Sequence, residues 1–138
     1  MNNNALMLIL LSGLISCSQQ TKDAQLMDCQ DLIRGCDIGV GQLTFSQLPK
    51  PLAPFIITLK TQSIDTQLDV VKAQFNMQGM QMGFNNYRFM HLKKDTWQAN
   101  VILPVCSQRR ADWLMTLDIK ASGKTKKLNI LFRNNGYS

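Results

Sequence analysis

The residues best suited to chemistry fall in one short stretch. Asn76-Met77-Gln78-Gly79-Met80-Gln81-Met82-Gly83 sets three methionines within six positions, where a strand runs out between glycines. Thioether sulfur is soft, uncharged and indifferent to protonation, which suits Cu(I). A loop carrying Met77, Met80 and Met82 brings two or three sulfurs around one ion. His91, the only histidine in the chain, adds an imidazole able to hold copper in either oxidation state. Cys106, in Leu103-Pro104-Val105-Cys106, offers a thiolate. Nothing in the sequence sets His91 or Cys106 beside the methionines.

Packing is the competing account of the same residues. Methionine is a flexible core filler, and Met77 continues the inward parity of Val71, Ala73 and Phe75. Met80 and Met82 would then plug one end of the domain. By the same logic His91 is a partly buried strand residue, and Cys106 a small buried hydrophobe or a disulfide partner.

Other chemistries find little support. All nine acids are Asp, there is no Glu, and no Gly-rich phosphate loop or Cys-x-x-Cys is present. No Ser, His and Asp fall where strand parity would bring them together, so the expectation is a protein that is not an enzyme. The formal net charge is +6, but its basic residues come in pairs (Lys93-Lys94, Arg109-Arg110, Lys126-Lys127) with no run of five. That pattern reads as a solvated basic surface and not a nucleic-acid site.

The elements that must carry these residues are short strands. Ile38 to Phe45 reads as the first, with a bulge at Gly39 and Gly41, where the apolar parity changes. Pro49, Pro51 and Pro54 then stiffen a connection. Phe55, Ile57 and Leu59 alternate with polar neighbours as a second strand, and Val71, Ala73, Phe75 and Met77 as a third. Tyr87, Phe89 and His91 share one face of a fourth, and Trp97, Ala99, Val101 and Leu103 make the inward face of a fifth. Trp113, Met115, Leu117 and Ile119 supply a sixth, and Leu128, Ile130 and Phe132 a seventh. The pattern predicts an all-β fold: an immunoglobulin-like antiparallel β-sandwich of about seven strands, with a small β-barrel as the alternative.

Ahead of this domain, Met1 to Ser16 reads as a secretion signal. Its apolar run from Ala5 to Ile15 is too short to span a bilayer and suits the core of a signal peptide. Leu14-Ile15-Ser16-Cys17 resembles the lipobox of bacterial lipoproteins, in which the cysteine is acylated and becomes the mature N-terminus. The expected organisation is a signal peptide over 1–16, a lipidated Cys17 with a polar tether over 17–27, the sandwich over 28–134 and a disordered tail over 135–138. Ser18 after the cysteine, where Asp would signal retention in the inner membrane, favours an outer-membrane anchor facing the periplasm. In that oxidising compartment Cys29 and Cys36, bracketing six residues that include Gly35, are expected to close a disulfide and leave Cys106 as the odd thiol.

Phe75-Asn76-Met77-Gln78-Gly79-Met80-Gln81-Met82-Gly83, with Asn86-Tyr87-Arg88, Trp97-Gln98-Ala99 and Leu103-Pro104-Val105-Cys106, resembles small proteobacterial envelope proteins of the FixH and YtkA-like kind. The resemblance covers roughly residues 55 to 120. It implies a Met-containing β-sandwich associated with copper handling and the assembly of haem-copper oxidases, and it bears on Met77, Met80 and Met82. Two departures stand out, a lipobox in place of a retained membrane helix and no histidine in the Met loop. The partners expected are the membrane, through the lipid, and either a cuproprotein or an envelope or secretion assembly on which a purely structural lipoprotein would dock.

Overall fold

The computed structural model describes residues 24–62 and 67–133, so the segment expected to be a signal peptide, Cys17 and residues 134–138 lie outside the described residues. Ten strands follow one another: β1 Gln25–Asp28, β2 Cys36–Asp37, β3 Gly41–Phe45, β4 Pro54–Thr61, β5 Leu68–Met77, β6 Asn86–Arg88, β7 Met90–Lys93, β8 Thr96–Ile102, β9 Asp112–Ala121 and β10 Lys124–Arg133. One sheet has the order β1-β10-β9-β5-β6 and the other β2-β3-β4-β8-β7. The run β3-β4-β8-β7 facing β10-β9-β5 is the strand order of an immunoglobulin-like sandwich. Each sheet ends in open edges, so the chain does not close into a barrel.

Strict alternation explains the long strands. From Val71 in β5, through β8 and β9, and from Leu128 in β10, every second side chain is buried, including Val71, Phe75, Val101, Trp113, Met115, Leu117 and Ile130. The two inner faces meet through a chain of rings. Phe132 sits edge-on to Phe75 and to Phe45, and Phe45 stacks on Phe55. Each such ring removes a large apolar area from water, worth roughly 1.5–3 kcal/mol by transfer alone.

Four details differ from the sequence expectation. Gln25, Leu26 and Met27, assigned to the tether, belong to β1 and pair in parallel with Leu128, Asn129 and Ile130 of β10. Among the described residues this is the one parallel pairing, in a sandwich expected to be antiparallel throughout. Gly39 and Gly41 do not bulge a single strand. They belong to the tight turn between β2 and β3, in which the Ile38 N–H donates to the Gly41 carbonyl at 2.9 Å and Gly39 takes φ +81°. The Asp37 carboxylate accepts the Gly39 N–H at 2.8 Å and shapes that turn.

The last difference concerns the fourth strand, which divides at Phe89. Asn86–Arg88 pairs with β5 in one sheet, while Met90–Lys93 pairs with β8 in the other. Phe89 is the buried pivot, and its N–H donates to the Val71 carbonyl at 2.9 Å. Two residues before it, the Tyr87 hydroxyl donates to the Ile102 carbonyl and accepts the Ile102 N–H, tying the sheets together at this edge. Short exposed β1, the two-residue β2 and the split between β6 and β7 account for ten strands in place of seven.

Candidate methionine site

β5 ends at Met77 in a two-residue turn through Gln78 and Gly79. The Met77 N–H donates to the Met80 carbonyl at 3.1 Å, and the Met80 N–H donates to the Met77 carbonyl at 2.9 Å. Gly79 takes φ +76° while Gln78 stays at negative φ, the signature of a type II turn. Residues that exchange both hydrogen bonds across an antiparallel pair carry their side chains on one face, with Cα atoms about 5.5 Å apart. Met77 and Met80 are therefore neighbours by construction.

Met82 follows along the loop, also packed against the core. Its N–H donates to the Asn76 Oδ1 at 3.0 Å, and a second left-handed glycine, Gly83 at φ +72°, turns the chain back. The Phe75 N–H donates to the Asn85 carbonyl at 3.0 Å and closes the neck of the loop before β6 begins. Met77 is 1% exposed and part of the core, whereas Met80 and Met82 are half-buried against it. The three sulfurs thus straddle the boundary between core and loop. Phe84, just before the neck, is fully exposed.

A second loop, between β8 and β9, braces this turn. Arg110 Nη2 donates to the Gln78 carbonyl at 2.9 Å, and its Nε donates to Asp112 Oδ1 at 3.0 Å while Nη2 also grips Asp112 Oδ2. Cys106 lies in that same loop, 2% exposed, with its carbonyl accepting the Arg109 N–H at 3.0 Å. The β8–β9 loop therefore carries Cys106 to the methionine end of the sandwich, a placement that sequence reasoning left open. Two buried donors, Asn85 Nδ2 and Trp113 Nε1, have no hydrogen-bond partner among the described residues. Trp113 stands opposite Met77 in the β5–β9 register.

His91 is elsewhere. It pairs with Trp97 at the start of β8 and stacks on that indole at a centroid distance of 4.5 Å. The methionine turn lies beyond the other end of β8, where Tyr87 meets Ile102. Five residue steps of strand separate Trp97 from Ile102, a span of roughly 16 Å, so the structure does not bring His91 to the methionines. Among the described residues no group of three His, Cys, Asp or Glu side chains is assembled for a hard or borderline metal.

Cys29 and Cys36 are disulfide-bonded, with Cα atoms 5.8 Å apart, as their spacing predicts. Beside this bridge a cleft of about 420 Å³ runs to the methionine turn, with Asp28, Leu32, Gln78, Asp112 and Phe132 among its walls. The paired Arg110 holds the Asp112 carboxyl below the usual carboxylate range by hydrogen bonding, against a smaller desolvation effect in the other direction. The carboxylate raises the guanidinium in turn, again chiefly through the hydrogen bond.

Because the folded-state value of Asp112 is depressed, the pair stabilises the fold above the unfolded carboxylate pKa of about 3.9 and loses that contribution as pH falls through the lower folded value. Both side chains are about a third exposed, which keeps the effect small. Urea unfolding at neutral pH and near pH 3 should show a steeper loss of stability in the wild type than in Asp112→Asn. Equal losses in the two proteins would remove the ion pair from the account.

Comparison with protein-family models, with curated proteins and with solved structures found no match to this chain.

Proposed function

We propose that this is a lipid-anchored envelope protein whose β-sandwich holds Cu(I) at its methionine turn and takes part in copper handling. The observation that carries the reading is the direct opposition of Met77 and Met80 across a two-residue turn, with Met82 next along the loop. Three thioethers on one short hairpin form a soft, uncharged donor set, and the burial of Met77 keeps one side of it dry. The brace from Arg110 to Gln78 limits the motion of the turn, which lowers the ordering cost of binding.

Changing Met80 and Met82 together to Leu keeps apolar volume and costs less than about 1.5 kcal/mol per swap. The variant should melt near the wild type and lose its ability to take Cu(I) from a chromophoric chelator. A wild-type protein that cannot compete with the chelator ends the copper reading. Replacing both by Ser separates the roles further, because packing residues lose roughly 2 kcal/mol or more each.

The anchor is tested separately. Protein recovered from its native host should begin at a Cys17 bearing two or three acyl chains when analysed by mass spectrometry. An unmodified Cys17, or a mature chain that starts elsewhere, removes the lipoprotein part of the proposal and leaves the copper part standing.

A second reading has its own observation. Phe84, Leu52, Val105 and Ile102 are all exposed at the methionine end of the sandwich, an apolar fringe that suits docking onto an envelope assembly. On that reading the methionines are packing, and a stoichiometric complex purified from the native envelope would replace copper binding as the defining property.

A further inference from the structure

The two ends of the sandwich carry different cations. At the methionine end lie Lys50, Arg109, Arg110 and Arg133, close to Asp28 and Asp112, while the Arg34–Asp31 pair sits along β3, where Gln42 Nε2 donates to the Arg34 carbonyl at 3.1 Å. Toward the opposite end stand Lys60, Lys93, Lys94, Lys120, Lys124, Lys126 and Lys127, all exposed, from the ends of β4, β7, β9 and β10. The described aspartates there are Asp37, Asp69, Asp95 and Asp118, with only Asp118 in an ion pair, to Lys127 at 3.7 Å. Folding thus gathers lysine pairs that look scattered along the sequence.

β1 fixes which end faces the anchor. It runs parallel to β10 from Gln25, opposite Leu128, to Asp28, opposite Leu131. The chain therefore enters β1 from the lysine end and leaves it toward the methionine end. Eight residue steps separate Cys17 from Gln25, and even at full extension they reach no more than about 29 Å. An acyl group on Cys17 keeps the Gln25 end of β1, on the lysine side, within that distance of the bilayer.

We propose that the lysine end docks on the phosphate-bearing headgroups of anionic phospholipid, a contact that orients the domain with its methionine turn outward. The proposal rests on the acylation of Cys17 for its geometry and on the gathering of exposed lysines, all but Lys127 outside any ion pair among the described residues, for its chemistry. Lysine suits this role, because its compact, hydrated ammonium on a long stem reaches a surface without a fixed partner geometry. Such attraction fades with added salt as the Debye length shortens.

The test uses the mature acylated protein reconstituted on vesicles of phosphatidylcholine alone, or of phosphatidylcholine mixed with phosphatidylglycerol. Amine acetylation is followed residue by residue by mass spectrometry. Lys124, Lys126 and Lys127, with Lys60, Lys93 and Lys94, should be protected several-fold on the mixed vesicles at low salt and not on phosphatidylcholine. Lys50 and Lys72, away from this end, serve as internal controls and should react alike on both. High salt should abolish the protection. Lys124→Gln/Lys126→Gln/Lys127→Gln, at exposed positions, should keep the wild-type melting temperature and lose the protection of Lys60, Lys93 and Lys94.

Equal reactivity of all these lysines on both vesicles overturns the proposal, as does protection that survives high salt. If the cluster serves an acidic protein instead, the vesicles leave it unprotected and the result is the same. Flotation with phosphatidylcholine vesicles reports the anchor independently. A chain that fails to float there lacks the acyl group, and its co-sedimentation with mixed vesicles at low salt still decides the lysine contact.

Discussion

Phe132→Ala should lower the unfolding free energy by about 3–5 kcal/mol, a large share of the 5–15 kcal/mol that holds a typical domain together. Phe132 is 2% exposed and stands where the two sheets touch. Its ring lies edge-on to Phe45 of one sheet at 5.4 Å and to Phe75 of the other at 6.3 Å. Truncation removes both ring contacts and leaves a cavity bordered by residues fixed in strand registers, which limits how far the walls can relax. The loss is measured by urea unfolding. Phe132→Leu keeps much of the volume and should lose clearly less. If the two substitutions cost the same, and under about 1 kcal/mol, the rings do not join the sheets in the way their geometry indicates.

The seven alternating segments were legible because burial on one face of a strand writes a period of two into the sequence. Val71, Ala73, Phe75 and Met77 are all buried, as are Trp97, Ala99, Val101 and Leu103. β1 left no such mark. Gln25, Leu26 and Asp28 are exposed on an edge, and what orders them is backbone pairing with β10, to which side-chain type contributes little. Tyr87, Phe89 and His91 do alternate, yet alternation carries no information about which sheet each residue joins. Only the third dimension shows Phe89 as a pivot between sheets and His91 stacked on Trp97.

The candidate site was legible in part for the same reason. Glycines at 79 and 83 marked a turn, and a turn between methionines places them together whatever the rest of the fold does. The approach of Cys106 and Arg110 to that turn depends on the path of the β8–β9 loop, for which no local signal exists. Leu52 and Arg109 in the adjoining loops take positive φ without being glycine, a choice that local propensity disfavours. The lysine-rich end was invisible in sequence because its members come from four separate strand ends.

Gly41→Ala should destabilise the protein by about 3 kcal/mol or more, although alanine is ordinarily the mildest replacement for glycine in a strand. The reason is close approach and not backbone freedom. A Cβ at Gly41 would lie 2.3 Å from the Lys60 carbonyl oxygen and 2.9 Å from both the Lys60 carbonyl carbon and the Thr61 Cα. These are backbone atoms of β4, and moving them disturbs the ladder that sets Leu43 opposite Leu59 and Phe45 opposite Ile57. Gly39, two residues earlier in the same turn, is the control. Its φ of +81° makes a side chain strained, but a Cβ there meets only the mobile Lys126 Nζ at 3.6 Å. Gly39→Ala should therefore cost about 1–2 kcal/mol, the price of holding an L-residue in the left-handed region. Urea unfolding of the two single variants separates steric exclusion from conformational strain. A Gly41→Ala protein no less stable than Gly39→Ala would mean that β3 can draw back from β4 without losing its register, and that the tight β2–β3 turn does not pin this edge of the sandwich.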